Sequence, residues 1–381
     1  MRIQPSNHLF DARPWRWAPL AALLWLSGCG SLDYYSQLAQ GQLQLLQART
    51  PIAELLDDPT LDPALRPRLA MALQARRFAS AALGLPDNRS YRLYADIQRP
   101  FVLWNLFATA EFSLAPELHC FPIAGCVAYR GFYSQSRARG AAALRQQQGL
   151  DTYLGGVEAY STLGWFDDPI LNTMLRWSDE RLVAVIFHEL AHQQLYVAND
   201  TAFNESFATF VERQGLRQWR AARGLAPADP QGERQREQFT ALVLASRTRL
   251  QQLYNTGLPA AQMRAGKQAE FARLRAEYRS LRDREWGGQG RYDGWIAAPL
   301  NNAKLLPFGL YDRWVPAFAA LFQQAEGDWP RFYREAEALG RLPAAQRKQV
   351  LTRLIAKAEN LPNPAPVQPT NPRAIKEHQD D

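Results

Sequence analysis

The sequence predicts a mainly helical α+β protein with a small central sheet, and three observations carry that reading. Apolar residues recur at helical spacing in the first part of the chain, as in Leu65, Leu69, Leu73 and Phe78. The middle changes character: residues 101–109 and 127–133 are rich in aromatic and β-branched residues, as strands are. From Ser178 to about Lys357 helical patterns dominate again. With 381 residues, 47% of them hydrophobic, the chain can bury a substantial core and is not disordered. Three cysteines exclude a disulfide-dense miniprotein, a multi-cysteine zinc ribbon and a large iron–sulfur protein.

Taken in order, residues 31–115 read as mostly helical, with a turn at Pro86-Asp87-Asn88 and Ser90 as the N-cap of a helix from Tyr91 to Ile97. Strands are expected at Phe101–Thr109 and Val127–Tyr133, then a small-residue helix from Ser134 to Gln148. A further strand-like stretch runs from Thr152 to Leu163, where Gly155-Gly156 would let another backbone approach closely. Gly287-Gly288-Gln289-Gly290 reads as a loop, and the proline-rich residues 362–381 as a disordered tail. The net charge of +7 is mostly arginine. Acidic residues interleave with it, as in Glu233-Arg234-Gln235-Arg236-Glu237, so the basicity reads as solvated helix faces and no nucleic-acid partner is expected.

The N-terminus reads as an address. Arg2, Arg13 and Arg16 outweigh Asp11 and precede an apolar stretch, Ala18 to Leu26, of about nine residues, where a bilayer-spanning helix needs about 20. Leu26-Ser27-Gly28-Cys29 follows at once and resembles the bacterial lipobox, whose cysteine is acylated and becomes the first mature residue. Residues 1–28 are therefore expected to be a lipoprotein signal peptide. Gly30 follows the cysteine, not the Asp that resembles an inner-membrane retention signal, which favours an outer-membrane lipoprotein facing the periplasm, held by its acyl chains. In that oxidising compartment Cys120 and Cys126, which enclose five residues including Pro122 and Gly125, are expected to pair as a disulfide.

His188-Glu189-Leu190-Ala191-His192 is H-E-x-x-H on a predicted helix capped by Ser178, with Asp179 and Glu180 at its positive end. Residues i and i+4 project from one helix face, so both imidazoles can reach one tetrahedral Zn2+ while Glu189 meets the water that attacks the substrate. A hydrolytic site needs a third protein ligand. Twelve residues separate His192 from Glu205, among them the turn signals Asn199-Asp200 and Thr201, a candidate N-cap. A first helix ending near Val197 and a second starting near Ala202 would turn Glu205 back toward the two histidines. The expected roles are His188, His192 and Glu205 as zinc ligands and Glu189 as general base. Tyr311 or Tyr160 is expected to stabilise the developing oxyanion.

The paired motifs resemble the gluzincins, thermolysin-like metallopeptidases whose third ligand is a Glu on the following helix. More closely, Gly155 to Pro169, Ile186 to His192 and Phe203 to Ala208 resemble the bacterial putative aminopeptidase family of exported lipoproteins, and Tyr129 to Phe132 and Pro299 to Ala303 also look familial. The resemblance implies a zincin-like metallopeptidase core over residues 29–361, a peptide substrate and aminopeptidase activity, with residues 152–163 as an edge strand for an extended peptide and Glu158, Asp167 or Asp168 as candidates to hold the substrate α-ammonium. The same site would serve an endopeptidase. A lipoprotein that binds metal and a partner but hydrolyses little is a third reading, in which Glu189 has no purpose. One departure stands out: the Asp that often supports a zinc histidine four residues after the ligand Glu is replaced by Thr209.

Overall fold

The computed structural model describes residues 18–121, 125–159, 161–308 and 313–359, with side chains described from Asp33. The chain divides after Gln47 into two compact units. The first contains helix α1, Ala18–Gln47, whose backbone runs through Cys29; the Cys29 side chain lies outside the described residues. No helix among the described residues is long and apolar enough to cross a membrane.

The second unit is mostly helical with three small sheets among its described residues, an α+β architecture. In chain order it contains β1 (Arg49–Pro51), α2 (Ile52–Asp57), α3 (Leu65–Leu83), β2 (Leu93–Ala95), β3 (Leu103–Ala110), β4 (His119–Phe121), β5 (Gly125–Val127), β6 (Arg130–Phe132), α4 (Gln135–Gln147), β7 (Leu150–Val157) and β8 (Ile170–Leu171). Helices follow: α5 (Asp179–Gln194), α6 (Thr201–Ala222), α7 (Pro230–Tyr254), α8 (Ala260–Glu285), α9 (Asp293–Ala297), α10 (Asn302–Leu305), α11 (Val315–Gln324), α12 (Trp329–Arg341) and α13 (Ala344–Glu359).

The helix expected at Tyr91–Ile97 is instead strand β2. Tyr91 is buried in the left-handed region at φ +64°, which interrupts any helix there. The next residues pair antiparallel with β1 and parallel with β8, a partner some 75 residues away that local pattern does not reveal. The strand expected at Val127–Tyr133 is split between β5 and β6, and the central antiparallel sheet runs β6-β3-β7. Strand β7 is therefore an edge. Its outer side is partly occupied: Asn301 Nδ2 donates to Thr152 O at 2.9 Å. Gly156 serves packing rather than close backbone approach, since a Cβ there would lie 2.5 Å from the Phe101 ring.

Strands β4 and β5 form a hairpin closed by the expected Cys120–Cys126 disulfide. Apolar clusters hold the helices, two of them prominent among the described residues. One is built on α7 and α8 from Phe239, Val243, Leu250, Leu274 and Tyr278, with Trp286 and Ile296. The other is aromatic: Phe203, Phe207 and Phe210 on α6 meet Phe318 and Phe322 of α11 and Phe332 of α12, with ring centroids 5.1–5.8 Å apart in the pairs Phe203–Phe318, Phe207–Phe318, Phe207–Phe332, Phe210–Phe322 and Phe210–Phe332. That cluster fixes one face of α6 and turns the opposite face, bearing Glu205, toward α5.

Candidate active site

Helix α5 begins as its sequence dictates: Ser178 Oγ accepts from Arg181 N, and Asp179 and Glu180 occupy the positive end of the helix dipole. It ends at Gln194, three residues earlier than expected, because Leu195 turns extended and the Asn204 amide takes over the chain. Asn204 Oδ1 accepts from Val197 N and its Nδ2 donates to Val197 O, both at 2.8 Å. Asp200, not Thr201, caps α6, accepting from Phe203 N at 3.1 Å. The other Asp200 oxygen receives Arg347 Nε at 2.8 Å and Nη2 at 2.7 Å, so a buried arginine from α13 anchors the start of the second helix.

The two helices pack closely enough that Gly215 has no room for a side chain: a Cβ would lie 2.7 Å from Leu83 and 2.9 Å from Phe187. Their facing residues bring His188, His192 and Glu205 together. The Nε2 atoms of the two histidines are 3.2 Å apart, and Glu205 Oε2 lies 3.4 Å from His188 Nε2 and 3.7 Å from His192 Nε2. A tetrahedral ion with bonds of about 2.0–2.1 Å sets its ligand atoms roughly 3.3 Å apart, so the donor set fits a divalent metal in both chemistry and spacing.

Glu212 was not foreseen from the sequence. Its Oε2 lies 2.9 Å from His188 Nδ1. Seven residues beyond Glu205, it shares that residue's helix face two turns on, with the buried Thr209 between them. A proton held on His188 Nδ1 by this carboxylate leaves the Nε2 lone pair directed into the triangle. His192 Nδ1 is buried and meets no hydrogen-bond partner among the described residues.

The electrostatics follow from three buried carboxylates, Glu189, Glu205 and Glu212, beside two imidazoles. Burial lowers His188, but Glu205 and Glu212 outweigh it and hold its pKa well above the ordinary value. Burial raises Glu205, and the two imidazoles overcome that and bring it down to about 2. Glu212 is likewise low: its burial is outweighed by His188, with Arg236 and Arg213 assisting. Glu189 goes the other way. Burial raises it, the imidazoles pull it back, and the charges of Glu205 and Glu212 add to the rise.

The remaining candidates scatter. Tyr160 and Tyr311 lie outside the described residues. Tyr196, in the α5–α6 turn, is a half-buried phenol whose pKa is raised by burial and then by the Glu205 charge. The three acids considered for an α-ammonium are already engaged. Glu158 accepts from Trp177 Nε1 at 2.8 Å and Arg181 Nη2 at 3.2 Å, and Asp167 pairs with Arg89 at 2.7 Å. Asp168 is buried and accepts from Thr162 N at 2.9 Å and Thr162 Oγ1 at 2.8 Å. The disulfide hairpin touches the turn between the two helices: Cys126 N donates to Asn199 Oδ1 at 2.9 Å.

Two histidines one turn apart and a glutamate from the next helix, their ligand atoms all within 4.8 Å of one another, define a candidate His-His-Glu metal site. Residues 33–351 match the family described as Putative aminopeptidase, and the chain belongs to that family. No curated protein and no solved structure matches it.

Proposed function

We propose that this chain is a zinc-dependent aminopeptidase, anchored through an acylated Cys29 at the outer membrane and acting on peptides in the periplasm. The observation that carries the catalytic part is the triangle of His188 Nε2, His192 Nε2 and Glu205 Oε2 with Glu189 beside it, in a member of the Putative aminopeptidase family. His188, His192 and Glu205 would hold the ion. When bound it supplies Lewis acidity, polarising the scissile carbonyl and acidifying the attacking water.

The chain's own residues do the rest. Glu212 fixes the His188 tautomer and ring plane. Glu189 takes the water's proton and delivers it to the leaving amine, and its raised affinity for protons suits that transfer. Tyr160 or Tyr311 donates to the developing oxyanion. The anchor rests on Leu26-Ser27-Gly28-Cys29 and the charged segment before it.

The test is purified protein loaded with zinc and offered amino-acid amides and N-blocked peptides. Release of free amino acids from the amides supports the proposal. Cleavage of blocked peptides alone moves the assignment to an endopeptidase, and stoichiometric zinc without turnover moves it to a metal-binding lipoprotein. Mass analysis of the mature N-terminus checks the acyl group on Cys29.

A further inference from the structure

The motif Gly164-Trp165-Phe166-Asp167-Asp168 is not used by the metal chemistry, yet its placement is specific. Trp165 is 67% exposed and Phe166 45%, the only two consecutive large hydrophobic residues left in water among the described residues. They sit in the 161–168 loop, which meets α5 near that helix's C-terminal end. Upstream of the loop, Glu158 is tied to Trp177 and Arg181, by the N-terminal turn of α5. At the loop's middle Gly164 lies against Gln193, the neighbour of His192: a Cβ on Gly164 would come within 3.4 Å of Gln193 Oε1. Gln193 is itself fixed, receiving Asn88 Nδ2 at 2.7 Å and donating to Ser90 Oγ at 3.2 Å.

The loop is built to hold that display. The buried Asp168 carboxylate accepts from Thr162 N and Oγ1 and from Ser161 Oγ. Thr162 Oγ1 receives Phe166 N at 3.1 Å, and Thr162 O receives Trp165 N at 3.2 Å. Leu163 is held at φ +57°, a conformation that side-chain-bearing residues rarely adopt. Two aromatic rings are thus kept in water by a constrained loop that meets the helix bearing the metal ligands at Gln193.

The strand leading into the loop offers the second half of the argument. Backbone groups alternate sides along a strand. Val157 O accepts from Val102 N on the β3 side, and Thr152 O accepts from Asn301 on the outer side. Leu154 and Gly156, in step with Thr152, therefore direct their N–H and C=O groups to the outer edge, where no strand pairs with them among the described residues. In the chain β7 leads toward this loop, and an extended peptide adding to the outer edge of β7 points its side chains alternately to either face.

We propose that Trp165 and Phe166 receive an apolar side chain of a peptide paired to the outer edge of β7, which makes the 161–168 loop the element that sets side-chain preference. This rests on the peptidase reading above. Trp and Phe give a large contact area at small entropic cost, and their preference for apolar over polar partners is the one property their exposure does not serve in solution.

The test compares Trp165→Ala, Phe166→Ala and the double variant with wild type on amino-acid amides bearing leucine, phenylalanine, serine or lysine side chains. The expected result is a fall of about tenfold or more in the ratio of kcat/KM for leucine or phenylalanine over serine, with zinc content and thermal midpoint unchanged. An unchanged ratio overturns the proposal. A parallel measurement needs no turnover: binding of a leucine-containing and a serine-containing tetrapeptide to the Glu189→Gln protein, with and without Trp165→Ala. If no peptide is hydrolysed but Trp165→Ala still weakens the leucine peptide selectively, the loop assignment stands and the peptidase reading fails. Equal binding of both peptides, with loss of binding to phosphatidylglycerol vesicles in the double variant, overturns the assignment in favour of a membrane contact.

Discussion

Glu212 Oε2 lies 2.9 Å from His188 Nδ1, so the carboxylate supporting the first histidine comes from two turns beyond Glu205 rather than from the next turn, where Thr209 stands. A longer side chain placed farther along α6 reaches the same imidazole. Replacing Glu212 by Gln or Ala should weaken zinc binding about 10–100-fold, because the His188 tautomer and ring orientation are no longer fixed. Competition with a chromogenic chelator measures this directly. Unchanged zinc affinity in both variants would remove Glu212 from the site.

Asp168 gives a stability signature with a defined sign. Burial raises its pKa from 3.8 to about 6, against the opposing bonds from Thr162 and Ser161 and with the Glu189 charge adding to the rise. The folded state thus binds this proton more tightly than the unfolded state. The contribution is fully present below about pH 4 and is lost as pH rises through about 6, on the order of 2–3 kcal/mol. Asp168→Asn removes that dependence. Urea unfolding between pH 4 and pH 7.5 should show wild type losing stability relative to the variant as pH rises, and parallel curves would contradict it.

The Cys120–Cys126 bridge closes a short loop whose hairpin touches the α5–α6 turn through Cys126 N and Asn199. Reduction should lower unfolding stability by about 2 kcal/mol. It is measured by urea titration with and without reductant, after alkylation shows whether either thiol is free. Free thiols at both positions in the native protein would count against the bridge.

Arg347 is buried and binds Asp200 through two nitrogens, fixing the N-cap of α6 and with it the position of Glu205. Arg347→Ala leaves Asp200 without this partner and should cost about 2 kcal/mol of stability, a value reduced from that of a fully buried pair because Asp200 is partly exposed. Zinc affinity should fall with it. A stable variant with wild-type zinc affinity would show that the cap does not position the ligand.

Much of the site was legible because its signals are local. Ser178, the acidic first turn and an unbroken run specify α5, and the i, i+4 spacing places His188 and His192 on one face. The turn at Asn199-Asp200 fixes where α6 starts to within one residue. What escaped the sequence depends on tertiary partners. Residues 93–95 became a strand because Ile170 and Leu171 arrive beside them, and Gly156 is needed by Phe101 rather than by a ligand. Glu212 was passed over because the expected support lies one turn after the ligand, while a glutamate two turns on occupies nearly the same angular position on the helix. The early end of α5 follows from the Asn204 side chain, which clamps Val197 from the next helix.

The most direct test of the central claim is the turnover of amino-acid amides by wild type and Glu189→Gln at equal zinc occupancy. Glu189 is not among the three residues that converge on the metal position, so the variant should retain zinc. The predicted result is full zinc content with kcat reduced about 10²–10⁴-fold. Equal turnover by the two proteins would contradict the assignment of Glu189 as general base and with it the hydrolytic account of the site.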